Sequence, residues 1–556
     1  MPDLILGPLL RYVEASDATI WVETDAACEV EVRVGDSTFR ARTFHVEGHH
    51  YAIPHVSGLE PGKFHEYEVA LDGKKVWPEP DSEYPPSFIR TIAPGEKVRL
   101  VFGSCRVCVP HEPPYTLSKE EDSRGNEIDA LYALTERMRR EPREEWPHAL
   151  VMLGDQIYAD KISLKAQEFI RNKRDTEKPP GETVADFEEY TRLYWDSWGD
   201  PPIRWLLSTL SSAMIFDDHE LADDWNISEA WVDEVRRYPW WDAQIIGGYM
   251  SYWIYQHLGN LSPKHLKTND LYEEAQETDD AGPALRAFAY KAGREAEGTR
   301  WSFHRDFGDT RLIVIDSRAG RVLTEDHRSM VDDDEWTWIE EKATGDFDHL
   351  LIGTSLPILM GPGMHHLEAW NEAVCKGAWG ARAARHGERL RQSLDIEHWA
   401  AFHDSFEKLI GLIHSIGAGK RGSAPHSITI LSGDVHHSYL AKATFADGVQ
   451  SAVHQAVCSP FRNELEAQKT RIFKAGWSRI GQLAGRLLAR SAGVRHPALK
   501  WNLTHDGAWF DNQVGTMELD GENATLKFER AISKDGGPRL EKTFEHRLTQ
   551  EEAPWK

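Results

Sequence analysis

Six short apolar runs each stop at residues that can bind metals or move protons. Residues 98–102 run into Gly103-Ser104-Cys105, 149–153 into Gly154-Asp155, and 213–216 into Asp217-Asp218-His219-Glu220. Residues 312–315 lead to Asp316-Ser317-Arg318, 350–352 to Gly353-Thr354-Ser355, and 428–431 to Ser432-Gly433-Asp434-Val435-His436-His437. One aspartate closing a strand is an ordinary cap or turn residue. Six ends delivering a thiol, carboxylates, imidazoles and a guanidinium are hard to explain as turns. Together they can build a metal site. Asp155 has two oxygens with spare lone pairs and can bridge two ions, and Asp434 and His436, two residues apart, can turn toward one mouth. Two close cations can clamp a phosphoryl oxygen, deliver a metal-bound hydroxide in line to phosphorus and stabilise the leaving oxygen.

The elements that must position these residues follow from the same runs. Uninterrupted apolar segments fit strands buried on both faces and covered by helices, and in such sheets ligands gather beyond the carboxyl ends of the strands. Between them, residues 187–198, 336–343 and 396–413 repeat apolar side chains at three- and four-residue spacing and predict helices. Trp399, Phe402, Phe406 and Ile410 form one stripe, read as core packing. Residues 174–183, with Pro179-Pro180-Gly181, read as a surface loop. Ahead of all this, Val30, Val32 and Val34 alternate with charged residues before Gly35-Asp36. Tyr67, Val69 and Leu71 do the same before Asp72-Gly73, and Ile20 and Val22 flank Trp21. Period-two patterning with hairpin turns predicts a small β-sandwich. Its stretch Gly58-Leu59-Glu60-Pro61-Gly62 resembles the E–F corner of fibronectin type III sandwiches. The expected organisation is a sandwich over residues 1–95, linked by Ala93-Pro94-Gly95 to an α/β catalytic region over 96–556 with helical insertions.

Composition narrows the function. The 556 residues hold 64 Lys+Arg against 90 Asp+Glu, a net charge of −26. Such a polyanion repels nucleic acid and anionic lipid unless a basic surface is segregated. No apolar run approaches the ~18 residues that span a bilayer. Asp3 stands where a signal peptide would carry a basic residue, and no twin arginine precedes an apolar stretch. Five scattered cysteines fit a reducing compartment, so a cytoplasmic location is expected. One stretch departs from the acidic average. From Ala467 to His505 there is no Asp or Glu, while Lys469, Arg471, Lys474, Arg479, Arg486, Arg490, Arg495 and Lys500 are basic. Phe473, Trp477, Ile480, Leu483 and Leu487 predict an amphipathic helix around 470–491. Its apolar face is expected to pack on the catalytic region with its arginines paired to surplus acids. The alternatives are a basic edge of the site mouth that guides an anionic substrate, or a membrane-surface helix.

Gly103-Ser104-Cys105, the run from Gly154-Asp155 through Tyr158 to Asp160, Asp217-Asp218-His219-Glu220, Asp316-Ser317-Arg318-Ala319-Gly320-Arg321 and Ser432-Gly433-Asp434-Val435-His436 occur in this order. Together they resemble the alkaline phosphatase D (PhoD-like) branch of the calcineurin-like metallophosphoesterases, over roughly residues 5–460. The resemblance implies a four-layer αββα sandwich behind the small β-sandwich. It also implies hydrolysis of small phosphate monoesters, extending to diesters, with ferric iron and calcium; Mn2+, Mg2+ or Zn2+ are alternatives. By that resemblance Cys105, Asp155, Tyr158 and His436 match the iron ligands, and Asp155, Asp217 or Asp218, and Asp434 the calcium ligands. His219 matches the phosphate-contacting or proton-donating histidine. Arg318 matches the phosphate-orienting arginine, with Arg321 in support. The chain departs from the pattern at Asp223-Asp224, where relatives often carry paired asparagines, at Arg106, where they often carry Gln, and in showing no export signal.

Elementary chemistry agrees with iron. A tyrosine with pKa near 10 loses its proton at neutral pH only against a strong Lewis acid, and a thiolate beside an imidazole disfavours calcium at that position. Other readings stay open. Tyr158 can be a phenol hydrogen-bonded behind the ligands, Cys105 a buried small hydrophobe, and Cys105-Arg106-Val107-Cys108 a redox or half-zinc pair. His365-His366, His403 and His454 read as surface or core residues. The same ligand set also suits a dedicated phosphodiesterase for a lipid, nucleotide or teichoic-acid-like substrate, or a binding protein that kept the fold and lost the chemistry.

Overall fold

The computed structural model describes residues 1–463, 474–534 and 536–549. The front of the chain forms two antiparallel sheets. One holds Leu4–Val13, Asp17–Thr24, Phe44–Val46, His49–Ala52 and His55–Ser57; the other holds Glu29–Val34, Ser37–Arg42, Phe64–Leu71, Lys74–Trp77 and Phe88–Arg90. The alternating residues meet between them: Ile20, Val22, Val30, Val32, Tyr67, Val69 and Leu71 share one buried cluster. Gly35, at φ 54°, makes the left-handed turn that pairs Val34 with Ser37. Trp21 points to the opposite face and is buried too. Its ring lies 5.1 Å from Tyr255 and its Nε1 donates to the Ile254 carbonyl at 3.0 Å. Arg11 donates to the carbonyls of Tyr255 and Gln256 at 2.6 and 2.8 Å. The sandwich is thus bolted to the rest of the protein through aromatic and backbone contacts.

Behind it stand two larger sheets. The first orders its strands Ser211–Ile215, Ala149–Leu153, Val98–Gly103, Gln513–Asp520, Asn523–Lys534 and Gly537–Arg547. The second orders Phe303–Phe307, Thr310–Ile315, His349–Thr354, Ser427–Ser432, Ala452–Val457, Tyr439–Phe445 and Leu499–Leu503. In each sheet the three strands that end in chemistry lie side by side and parallel. Alternation along the second sheet shows how the layers stack. Leu312, Val314, Leu351 and Leu431 pack into the cluster of the first sheet, whereas Ile313, Ile315, Leu350, Ile352, Ile428 and Ile430 pack with Trp336, Ile339, Phe406 and Leu409. Helix Ala130–Met138 covers the outer side of the first sheet, and helices Asp333–Lys342 and His403–Gly417 that of the second. The result is the expected four-layer αββα sandwich. Every central strand is buried on both faces, which is why each reads as a continuous apolar run.

Three elements differ from expectation. The helix predicted over 396–413 is split: Trp399–Ala401 is a short turn, Phe402 takes φ −127° and ψ 61°, and the helix starts at His403. Its stripe is core all the same, with Trp399, Phe402, Phe406 and Ile410 buried. The amphipathic helix has the reverse orientation to the one expected. Helix Arg479–Ser491 packs by Gly485 and Ala489, while Ile480, Leu483 and Leu487 stand exposed; Lys469, Arg471 and Phe473 lie outside the described residues. The hairpin of Asn523–Lys534 and Gly537–Arg547 widens the first sheet beyond the strands read from apolar runs. Among the described residues no helix is long and apolar enough to cross a membrane.

Candidate metal centre

The parallel strands deliver their last residues to one place because the loops leaving them turn sharply. Cys105, Asp155, Asp434 and His436 all hold left-handed backbone, at φ 58°, 51°, 65° and 49°. Each costs about 1–2 kcal/mol for a residue with a Cβ, and such strain persists where surrounding structure enforces it. Hydrogen bonds do so here: Cys105 N donates to the Gly154 carbonyl and Arg106 N to the Asp155 carbonyl, both at 3.1 Å. Two glycines let the loops approach. A Cβ on Gly154 would stand 2.6 Å from the Asp217 Cβ, and one on Gly433 would stand 2.1 Å from Ser104 Oγ.

The side chains then fall into three linked groups with ligand atoms within 4.8 Å of one another: Cys105, Asp155 and His436; Asp155, Asp218 and His219; Asp217, Asp218 and Asp434. Asp155 joins the first two groups and Asp218 the last two. Tyr158 reaches the same carboxylate, its hydroxyl donating to Asp155 Oδ2 at 3.1 Å while accepting from Asn463 Nδ2 at 2.9 Å. Burial alone pushes the Cys105 thiol, the Asp155 carboxyl and the Tyr158 phenol well above their ordinary values, and neighbouring carboxylates push them further. Asp155 Oδ1 and Asp217 Oδ2 are buried without a hydrogen-bond partner. Uncompensated buried anions are costly, so a pocket of anionic donors with orphaned oxygens fits cations. The donor types differ across the pocket, with thiol, phenol and imidazole at one end and carboxylates alone at the other.

Positive charge stands around this pocket. Arg318, fully buried, pairs with Asp217 and Glu397 through short hydrogen bonds and lies 3.4 Å from Asp218 and from Asp434. Arg321 faces away, donating to the carbonyls of Asn226 and Glu397 at 3.0 Å and lying 3.4 Å from the Glu397 carboxylate it shares with Arg318. His219 Nδ1 lies 2.9 Å from Asp160 Oδ2, and its ring packs 4.6 Å from that of Tyr158. Burial opposes its charge, but Asp218, Asp155 and Asp160 outweigh burial and hold the imidazole well above its ordinary value. Asp224 N donates to Asp218 Oδ2 at 2.9 Å, and burial beside Glu397 and Asp395 raises its carboxyl to about 8. Asp223 Oδ1 sits 3.6 Å from His219 Nε2. Among the described residues neither Asp223 nor Asp224 joins the three ligand groups.

Several contributors escaped sequence reasoning. Glu220 accepts from the backbone N–H of Asp155, Gln156 and Asp217 at 3.1, 2.8 and 2.8 Å, clamping two strand-end loops together. His398 bridges Glu368 at 3.0 Å and Asp434 at 3.5 Å. Glu397 and His398 follow no strand, so no apolar run announced them; Glu220 was visible in its motif without a role. Cys105 and Cys108 face different partners: Cys105 joins the Asp155–His436 group, while Cys108 Sγ donates to the Asp196 carbonyl at 3.2 Å. His365, His366 and His454 are buried outside the ligand groups.

The two facing sheets bring their acidic strand ends to one shared edge. Residues 125–255 match the model of the PhoD-like phosphatases, and residues 1–89 match a domain of unknown function, DUF7800. A solved structure described as that of PhoD superposes with a TM-score of 0.57 at 12% identity, over 98% of this chain and 90% of that one. A purple acid phosphatase, PPD1 from yellow lupin (Lupinus luteus) seeds, superposes at 0.48 with 10% identity, over 97% and 73%. No curated protein matches the chain by sequence. The likeness to PhoD-like phosphatases thus rests on residues 125–255 and supports a hydrolase, while the solved structure shares the fold.

Proposed function

We propose that the protein is a phosphomonoesterase acting on small phosphate esters with a ferric ion and a calcium ion. One observation carries this reading: Asp155 is shared between the Cys105–His436 group and the Asp218–His219 group, and Asp218 leads on to Asp217 and Asp434, so one carboxylate can serve two neighbouring cation sites. Cys105, Asp155, Tyr158 and His436 would hold the iron, and Asp155, Asp217, Asp218 and Asp434 the calcium. When bound, the pair supplies Lewis acidity toward a phosphoryl oxygen and toward water.

The chain's own groups do the rest. The Arg318 guanidinium, held on one side by Glu397, places one nitrogen 3.4 Å from Asp218 and Asp434 on the other and can offer that nitrogen to a phosphoryl oxygen. Arg321 and Glu397 hold Arg318 in place. His219, its Nδ1 held 2.9 Å from the Asp160 carboxylate outside the ligand groups, can donate a proton from its other nitrogen to the departing alkoxide oxygen. A cationic imidazole and a guanidinium suit a dianionic monoester better than a singly charged diester. Purified protein should hydrolyse p-nitrophenyl phosphate faster than bis-p-nitrophenyl phosphate and contain iron and calcium. Preference for the diester would reverse the substrate assignment, and metal-replete protein inert on both would mark a binding protein.

A further inference from the structure

Helix Arg479–Ser491 sits on the protein by its smallest residues. A Cβ at Gly485 would stand 2.8 Å from the Gly363 carbonyl oxygen, so this helix meets helix Pro362–Cys375 nearly backbone to backbone. The opposite face presents Ile480, Leu483 and Leu487, exposed by 82%, 61% and 58%. Spaced three and four residues apart, they form one aliphatic ridge. A convex ridge suits insertion into something soft; a peptide would need a groove.

A row of arginines borders the ridge. Arg479, Arg486 and Arg490 recur at helical spacing along one flank, and no acidic residue occurs from Lys474 to His505. Among the described residues Arg479, Arg486, Arg490 and Arg495 form no ion pair, despite the net charge of −26. Arg486, Arg490 and Arg495 line one cleft with His366 and His496. Burial above all, with smaller contributions from His496 and Arg486, holds His366 down at about 4. At the end of the helix Trp379 is 46% exposed, its Nε1 donating to the Ser491 carbonyl at 3.2 Å. An indole with one apolar and one wet side suits a lipid–water boundary.

We propose that this face docks on an anionic phospholipid bilayer, the ridge entering the acyl boundary and the arginine cleft taking phosphate headgroups. The acidic remainder of the protein would then orient it, since only this face is attracted. A second copy would bring an identical arginine row against this one. The inference stands independently of the substrate assignment.

Vesicle co-sedimentation tests it, with phosphatidylcholine alone and with added phosphatidylglycerol. The full-length protein should bind only the anionic vesicles, and less as salt rises. The triple variant Arg479→Gln, Arg486→Gln, Arg490→Gln should lose about a hundredfold in partitioning. A second triple, Ile480→Ser, Leu483→Ser, Leu487→Ser, should lose at least about tenfold while melting temperature and soluble-substrate turnover stay unchanged. Failure of the folded protein to bind anionic vesicles would overturn the proposal. So would equal binding to neutral vesicles, or binding that survives both triples. A lower melting temperature in the serine triple, or a concentration-dependent dimer that this triple abolishes, would show that the face is packed by protein instead.

Discussion

Glu220→Gln probes how the strand ends are held at the metal centre. Glu220 Oε2 accepts from Asp155 N at 3.1 Å and Asp217 N at 2.8 Å; Oε1 accepts from Gln156 N at 2.8 Å and Gln256 Nε2 at 3.1 Å. Glutamine keeps the shape but has one accepting oxygen. If that oxygen serves Asp155 and Asp217, the new amide faces Gln256 and the Gln156 N–H. Gln256 can flip and offer its own carbonyl, which has no partner, but the Gln156 N–H cannot. A stranded buried donor costs about 1–3 kcal/mol, and the bonds that stay lose charge assistance. A loss of about 2–4 kcal/mol follows, with calcium affinity falling about 10- to 100-fold because Asp155 and Asp217 are no longer fixed. Chemical denaturation and calcium titration read both. Burial lifts Glu220 to about 7 despite its donors, so the comparison belongs at pH 8, and the difference should shrink as pH falls and the wild-type carboxyl gains its own proton. Stability within about 0.5 kcal/mol and unchanged calcium affinity at pH 8 would refute the clamp.

Iron held beside Tyr158 and Cys105 should colour the protein, and Tyr158→Phe should shift or bleach the visible band; a colourless, iron-replete, active enzyme contradicts this ligand set. Arg318→Lys keeps the charge that the buried carboxylates need but loses the fork, so inhibition by inorganic phosphate should weaken about tenfold with metal content intact; unchanged inhibition makes Arg318 a structural counter-ion. His257 is buried and held down at about 3 by burial, then by Arg300. Its folded value lies below the unfolded 6.5, so its stability contribution is whole above pH 6.5 and is lost as pH falls toward 3, reaching about 2 kcal/mol at pH 5. His257→Gln should flatten that acid limb in denaturation profiles, and an identical limb would remove His257 from the account.

The ligand cluster was legible because two physical constraints coincide in it. A strand buried on both faces carries few charged side chains, so the carboxylate after a run, such as Asp155 after Leu153, marks where the strand leaves the core. Parallel neighbours end at the same edge, which brings Cys105 to Asp155 and Arg318 to Asp434. Glu397 and His398 obey neither constraint, since they come from a loop whose position depends on tertiary packing. The choice between Asp217 and Asp218 also exceeded the sequence, and the fold places both beside Asp434. The helix after residue 478 misled in a different way. Its period identified the helix and its amphipathic face, but only the close approach of Gly485 to Gly363 shows that the small residues, and not the leucines, face the protein.

Metal analysis of Asp155→Asn tests the central claim most directly. A carboxylate shared by two cation sites predicts that wild-type protein retains iron and calcium together, and that this one substitution releases both and lowers phosphomonoesterase turnover at least about a hundredfold. Retention of both metals, or turnover within about tenfold of wild type under saturating metal, would contradict the shared-bridge account.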